Sequence, residues 1–188
     1  MSQKVDTHLT ATQQLMVKAW EQHMAAEFQL KDLEATMATM TEEPCVNHVP
    51  VMTGGVGQEA VRHFYGNYFI PCQPPDTEII PVSRTVGYNR IVDQIIHKFT
   101  HTVDMPWMLP GLEPTGKPVV NGVVAIIDFQ NGKVASEHIY WDQASVLVQL
   151  ELLDPNKLPV VGADSAEKIL NPFQRPSNTL IQRGKKSR

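Results

Sequence analysis

The apolar residues change their spacing once along the chain, at the proline-rich link Pro71-Cys72-Gln73-Pro74-Pro75, and that change fixes the order in which elements can form. Upstream, Leu15, Met16, Ala19, Trp20, His23, Met24, Glu27 and Phe28 recur at three- and four-residue spacing, the period of one helix face, with Thr10 or Thr12 available as N-cap. Residues 31–41 keep helical spacing through Leu33, Met37 and Met40, with Asp32 as a cap and Pro44 as a stop. Residues 45–50 alternate like a short strand, and 53–57 read as a glycine-rich turn into a helix over 58–68. Downstream the period falls to two. Residues 77–86 and 91–102 are rich in β-branched side chains, and Gly87-Tyr88-Asn89-Arg90 between them predicts a hairpin. A long Pro- and Gly-bearing loop carries Trp107. Residues 119–129 and 133–141 then form a second hairpin across Gln130-Asn131-Gly132, where Asn-Gly suits positive φ, and Asp142 opens an apolar final helix over 143–153. Helices followed by an antiparallel meander are the α+β pattern, with helices packed on one side of a strongly curved sheet.

At 188 residues with 42% hydrophobic and 19% charged side chains, the chain has the ordinary composition of one globular domain. It has no apolar run near the roughly 18 residues of a membrane span, and its first ten residues lack an apolar core behind a basic start, so a cytoplasmic protein without membrane association is expected. Cys45 and Cys72 lie outside any ligand spacing and read as free thiols. Five basic residues, Arg175, Arg183, Lys185, Lys186 and Arg188, lie in residues 175–188, which hold no acid; without them eleven basic residues face twenty acids. A body that acidic repels phosphate backbones, which argues against nucleic-acid binding. The cations sit among Pro172, Pro176, Ser177, Asn178 and Gly184, a composition that predicts a flexible basic tail.

Candidate chemistry can be placed from strand alternation. On the strand over 91–102 the odd positions put Asp93, His97, Phe99 and His101 on one face with Ile91 and Ile95. A curved sheet closed by helices makes a dry pocket, in which burial raises a carboxyl pKa and lowers an imidazole pKa, and so poises an acid or base near neutral pH. The alternative is a buried Asp–His hydrogen bond without turnover. On the last strand either face can point inward: Val134, Ser136, His138 and Tyr140, or Ala135, Glu137, Ile139 and Trp141. Asp142 has the position of an ordinary helix N-cap, and His48 is a polar group in an apolar setting. The histidines show neither HxH nor HExxH spacing, so no metal site is expected, and the glycines at 54, 55 and 57 lack the partners of a phosphate cradle.

The order of elements and three motifs resemble the SnoaL-like polyketide cyclases of the nuclear transport factor 2-like superfamily. The motifs are Trp20-Glu21-Gln22-His23 followed by His48; Phe99-Thr100-His101-Thr102 with the downstream Pro114-Thr115-Gly116-Lys117 loop; and residues 131–142, NGKVASEHIYWD, leading to Gln149-Leu150. The resemblance covers residues 15–153. It implies a cone-shaped sheet closed by N-terminal helices over residues 1–153, a deep hydrophobic pocket, a homodimer and no obligatory cofactor, with residues 154–188 as a C-terminal extension. It also implies that Asp142 is the general base and that His101 lines the pocket.

The expected function is a cofactor-independent enzyme that removes a proton α to the carbonyl of a small hydrophobic ketone or lactone, in isomerase, cyclase or hydratase chemistry. Asp142 would be the base, His101 or a neutral Asp93 would donate to the enolate, and His48, Tyr140, Trp107, Trp20, His97, Phe99 and His138 would shape the substrate pocket. Two other readings stand beside it: a non-catalytic ligand-binding or assembly module, and an epoxide or lactone hydrolase, which needs two carboxylates around one water.

Overall fold

The computed structural model describes residues 9–186; residues 1–8 at the start of the chain, and Ser187 and Arg188 at the end of the basic tail, lie outside them. Thr10 closes a capping box, its hydroxyl oxygen accepting the Gln13 amide at 3.3 Å while the Gln13 side chain accepts the Thr10 amide at 2.9 Å. This starts α1 (Ala11–Ala25), whose buried stripe of Met16, Trp20 and His23 runs on to Glu27 in a π-helical turn, Ala26–Leu30. Asp32 caps α2 (Leu33–Ala38) by accepting the Ala35 amide at 3.0 Å.

The next segment corrects the sequence reading. β1 (Met40–His48) begins where helical spacing still continued, because Met37 and Met40 satisfy a helix period while Met40 pairs with Val134 across the sheet. Residues expected as a turn form a short strand, β2 (Thr53–Val56), antiparallel to β1. Then come α3 (Gln58–Phe64), a second π-helical turn, Tyr65–Phe69, and a 3-10 turn, Ile70–Cys72.

The two expected hairpins are present: β3 (Glu78–Val86) with β4 (Arg90–Thr100), and β5 (Pro118–Gln130) with β6 (Lys133–Trp141). Asn131 and Gly132 carry φ of 53° and 75°, the positive values a tight two-residue turn demands. The six strands form one open sheet in the order β2-β1-β6-β5-β4-β3. It is not wholly antiparallel: β1 runs parallel to β6, which seats Val46 beside Glu137 and His48 beside Ile139. A register shift between Asp128 and Phe129, opposite residues 134–136, reverses the inward parity of β6 from Val134 to Glu137 and Trp141.

α4 (Gln143–Gln149) ends the part that encloses the core. From Asp154 the chain forms α5 (Asp164–Leu170) and α6 (Thr179–Lys186). Ala166 of α5 is fully buried, Ile169 lies over Gly122 of β5, and the Arg183 guanidinium in α6 donates to the Pro155 and Leu158 carbonyls. Among the described residues no helix is long and apolar enough to cross a membrane.

Candidate functional site

The inward face of the sheet and the buried stripe of α1 enclose a cavity of about 60 Å³. Cross-strand rows tile its floor: Asp93, Ala125 and Ile139 in one, Ile95, Val123 and Trp141 in the next, with Ile79 beside His97 at the edge. The two π-helical turns complete the wall with Glu27 and Phe28 from the first, Tyr65 and Phe69 from the second. In each the backbone reaches back five residues, the Lys31 amide to the Ala26 carbonyl and the Ile70 amide to the Tyr65 carbonyl. Such turns recur at functional sites.

One wall is a closed polar cluster. His23 Nε2 lies 3.0 Å from Glu27 Oε1 and 3.1 Å from Glu137 Oε1, and the Tyr65 hydroxyl donates to that same Glu137 oxygen at 2.9 Å. The far side of the imidazole fixes its tautomer. Thr39 spends its one hydroxyl proton on the Thr36 carbonyl at 2.6 Å, so at 2.6 Å from His23 Nδ1 the Thr39 oxygen can only accept. Nδ1 therefore carries a proton, and Nε2 faces two carboxylates. Burial pulls this histidine towards neutrality, but Glu27 and Glu137 outweigh it and raise its pKa from 6.5 to about 10. The carboxylates differ. For Glu137, burial is overcome by the imidazolium and the Tyr65 hydroxyl, and its pKa is lowered; for Glu27, burial prevails over His23 and its pKa is raised. Glu27 is thus the carboxyl in the cluster best placed to take and return a proton. One imidazole and two carboxylates with ligand atoms within 4.8 Å of one another also have the composition of a divalent-cation site, although here both carboxylate oxygens face the His23 Nε2 between them.

The facing wall is aromatic. His48 packs against Phe64, Phe69, Trp107 and Trp141 at centroid distances of 5.3–5.8 Å, and His97 against Phe99 and Trp107 at 4.9 and 5.8 Å. Burial is the main cause that lowers both imidazoles to about 4, so both are neutral at physiological pH.

Of the residues expected to form the site, Trp20, His48, Asp93, His97 and Trp107 line the cavity. Phe99 is buried behind the His97 ring and is not among the lining residues. The rest require correction. Asp142 is exposed and does not reach the cavity: its carboxylate caps α4, accepting the Ser145 amide at 3.1 Å and the Ser145 hydroxyl at 2.6 Å. His101 lies past the end of β4, where strand alternation no longer directs it, and is buried under a loop with Nδ1 accepting the Thr115 amide at 3.3 Å. Asp93 reaches the cavity wall but accepts from Arg84 Nε and Nη2, each at 2.7 Å, and from Trp20 Nε1 at 2.8 Å. An ion-paired carboxylate with three donors is no neutral hydrogen-bond donor; it holds Trp20 in place. His138 and Tyr140 alternate to the other face of β6, away from Glu137 and Trp141.

His23, Glu27 and Tyr65 were not among the expected site residues, and Glu137 entered only with one of the two possible inward faces of the last strand. Their signal in the sequence is a charge inside an apolar stripe: positions 16, 20, 23 and 27 share one helix face, and Glu137 alternates with Ile139 and Trp141.

The family model of the SnoaL-like domain matches residues 20–137. Comparison with curated proteins gives no match. Among solved structures, a protein from Jannaschia sp. CCS1 provisionally assigned as a SnoaL-like polyketide cyclase superposes with a TM-score of 0.64 at 16% identity, over 79% of this chain and 100% of its own. TsrD from Streptomyces laurentii gives a TM-score of 0.58 at 16% identity, covering 80% of this chain and 100% of its own. A protein of ketosteroid isomerase-like fold from Catenulispora acidiphila DSM 44928 gives 0.53 at 12% identity, over 73% and 93%. At such identities the likeness is one of fold. With the match to residues 20–137 it places the curved sheet and its helices: the chain belongs to the SnoaL-like domain family, with the ketosteroid isomerase-like architecture of its structural neighbours.

Proposed function

We propose that this chain is an enzyme that moves a proton on a small, largely apolar carbonyl compound or lactone bound in the cavity, with Glu27 as the acid–base group. The observation that carries this reading is the Glu27–His23–Glu137–Tyr65 cluster on the cavity wall. In the step envisaged, Glu27 as carboxylate takes the proton from the carbon α to the carbonyl, and the C–H electron pair moves into the carbonyl to give an enolate. Return of that proton to another carbon completes an isomerisation; attack of the enolate carbon on a second carbonyl, whose oxygen takes the proton back from Glu27, completes a cyclisation. The neighbouring imidazolium stabilises the ionised form of Glu27, while burial raises its pKa towards working pH, the compromise general acid–base catalysis favours. Tyr65 and Glu137 hold His23 in register.

Incubating the protein in D2O with small neutral ketones, enones and lactones, and measuring deuterium at the α-carbon by mass spectrometry, tests the proposal. Exchange above buffer that falls about a hundredfold or more in Glu27→Gln is expected. Exchange that persists in Glu27→Gln, or no exchange with any compound, overturns it. The convergence of two carboxylates on one nitrogen favours a second reading, water-dependent opening of an epoxide or lactone; uptake of one oxygen from labelled water into the product distinguishes it. The homodimer that the resemblance implies belongs to the same proposal, and native mass spectrometry measures it.

A further inference from the structure

Sorting the polar side-chain atoms of the cavity by partner separates two residues from the rest. Asp93 is held by Arg84 and Trp20, and Glu27, Glu137, Tyr65 and His23 hold one another. The indole N–H groups are also committed: Trp20 to Asp93 at 2.8 Å, Trp107 to the Cys72 carbonyl at 3.4 Å and Trp141 to Gln143 at 2.6 Å. Two of the residues that line the cavity, His48 and His97, hold a buried nitrogen without a hydrogen-bond partner among the described residues, Nδ1 in the first and Nε2 in the second. Both rings pack on Trp107, so the two imidazoles belong to one region of the wall. A buried polar atom left unpaired is unfavourable, and a ligand that pairs it recovers that cost on binding.

We propose that His48 and His97 receive the oxygen of the ligand, and that they make the cavity selective for uncharged carbonyl compounds against carboxylates of the same shape. The inference rests on the reading of the cavity as a substrate site and names what that site accepts. Each imidazole is neutral, pressed to about 4 chiefly by burial, and a neutral ring nitrogen gives or takes one hydrogen bond according to its tautomer. Among the described residues, no lysine or arginine lines the cavity to pair a fully ionised ligand. The cationic groups near the cavity are already paired, His23 with two carboxylates and Arg84 with Asp93 and Glu21. A carboxylate ligand would enter desolvated, with the Glu137 charge across the cavity and no counter-ion. An uncharged carbonyl meets hydrogen-bonding partners and aromatic faces alone.

Acetophenone and benzoate are matched probes, planar and close in size, one neutral and one anionic. Calorimetric titration at pH 7 is expected to show acetophenone binding about tenfold or more tighter than benzoate, with the preference reduced to within about threefold in His48→Phe and in His97→Phe. Nitrogen NMR of the histidine-labelled wild type reads the contact without any variant: acetophenone is expected to move the signals of His48 Nδ1 and His97 Nε2 and leave those of His23 in place. Benzoate binding as well as acetophenone, or acetophenone bound without movement of either signal, overturns this inference while leaving the Glu27 exchange test standing. If neither probe binds, it falls together with the reading it rests on.

Discussion

On the wall built from α1, the π-helical turns and β6, His23 sits between two carboxylates and beneath a tyrosine hydroxyl, every group answering another. On the wall built from β1, β4 and the loop of Trp107, His48 and His97 sit among aromatic rings, each with one nitrogen unanswered. All three imidazoles are buried, yet one is raised to about 10 and two are lowered to about 4. Burial alone drives each of them towards neutrality, so the sign is decided by whether a carboxylate stands within hydrogen-bond reach. A closed network stores charge at a defined place, and open nitrogens are places where a ligand completes what the protein left incomplete.

The sharpest way to break the contrast is to open the closed wall. Glu137→Leu leaves the Tyr65 hydroxyl without its acceptor and His23 with one carboxylate, and is expected to cost about 3–5 kcal/mol in urea denaturation. Replacing the whole cluster at once, with His23→Leu, Glu27→Met, Tyr65→Phe and Glu137→Leu, is expected to return most of that stability and none of the α-proton exchange. A fold that tolerates Glu137→Leu alone would show that the cluster is solvated rather than buried.

Acid separates the two walls next. His48 and His97 stay neutral in the folded protein down to about pH 4, whereas in the unfolded chain they take a proton near 6.5. The unfolded state therefore binds more protons across that window, and stability is lost as pH falls from 6.5 to 4, by about 3 kcal/mol for each histidine at ~1.4 kcal/mol per pKa unit. In His48→Phe or His97→Phe the slope of stability against pH should shrink by one proton. His23 has the opposite sign: its pKa is raised, so its contribution is complete below 6.5 and is lost as pH rises towards about 10. Equilibrium denaturation at a series of pH values resolves both limbs.

Much of this arrangement is legible in the sequence where a single element decides it. The period of two along β4 turns Asp93 and His97 inward, and Asn131-Gly132 makes its turn, because each outcome depends on neighbours in the chain. The parallel pairing of β1 with β6 is not legible in this way, since it joins residues about ninety positions apart, and it is what brings His48 beside Ile139. The inward face of β6 is equally hidden, because the irregularity opposite residues 134–136 changes its parity. His23 and Glu27 lie on the apolar helical face in plain view, but a charge there is read as a residue at a margin until its partner from another element is known. For Asp142 the side chain follows the local signal, a cap on α4, and its carboxylate is not among the groups that line the cavity.

The smallest expected effect sharpens the comparison by exclusion. Asp142→Ala removes a side-chain cap outside both walls and should cost about 1 kcal/mol of stability without changing α-proton exchange. A loss of exchange in Asp142→Asn, with stability kept, would return Asp142 to the chemistry and displace Glu27.

The π-helical turns make the shape of the cavity wall a matter of counting as well as of kind. Each holds one more residue in its loop than an α-turn, and the chain beyond Glu27 and Tyr65, with Phe28 and Phe69 on the cavity wall, takes its direction from that extra residue. Removing a single residue from Ala26–Leu30 would let the helix relax to α geometry and swing the downstream chain by roughly 100° relative to the stripe of Trp20 and His23. A chain shortened there would keep His23 and Glu27 one helical turn apart and still lose the packing of Phe28 on Phe69 that joins the two turns. Deletions are therefore expected to be more damaging in these two short segments than most substitutions, and relatives aligned without regard to length at these points would have their sites misread.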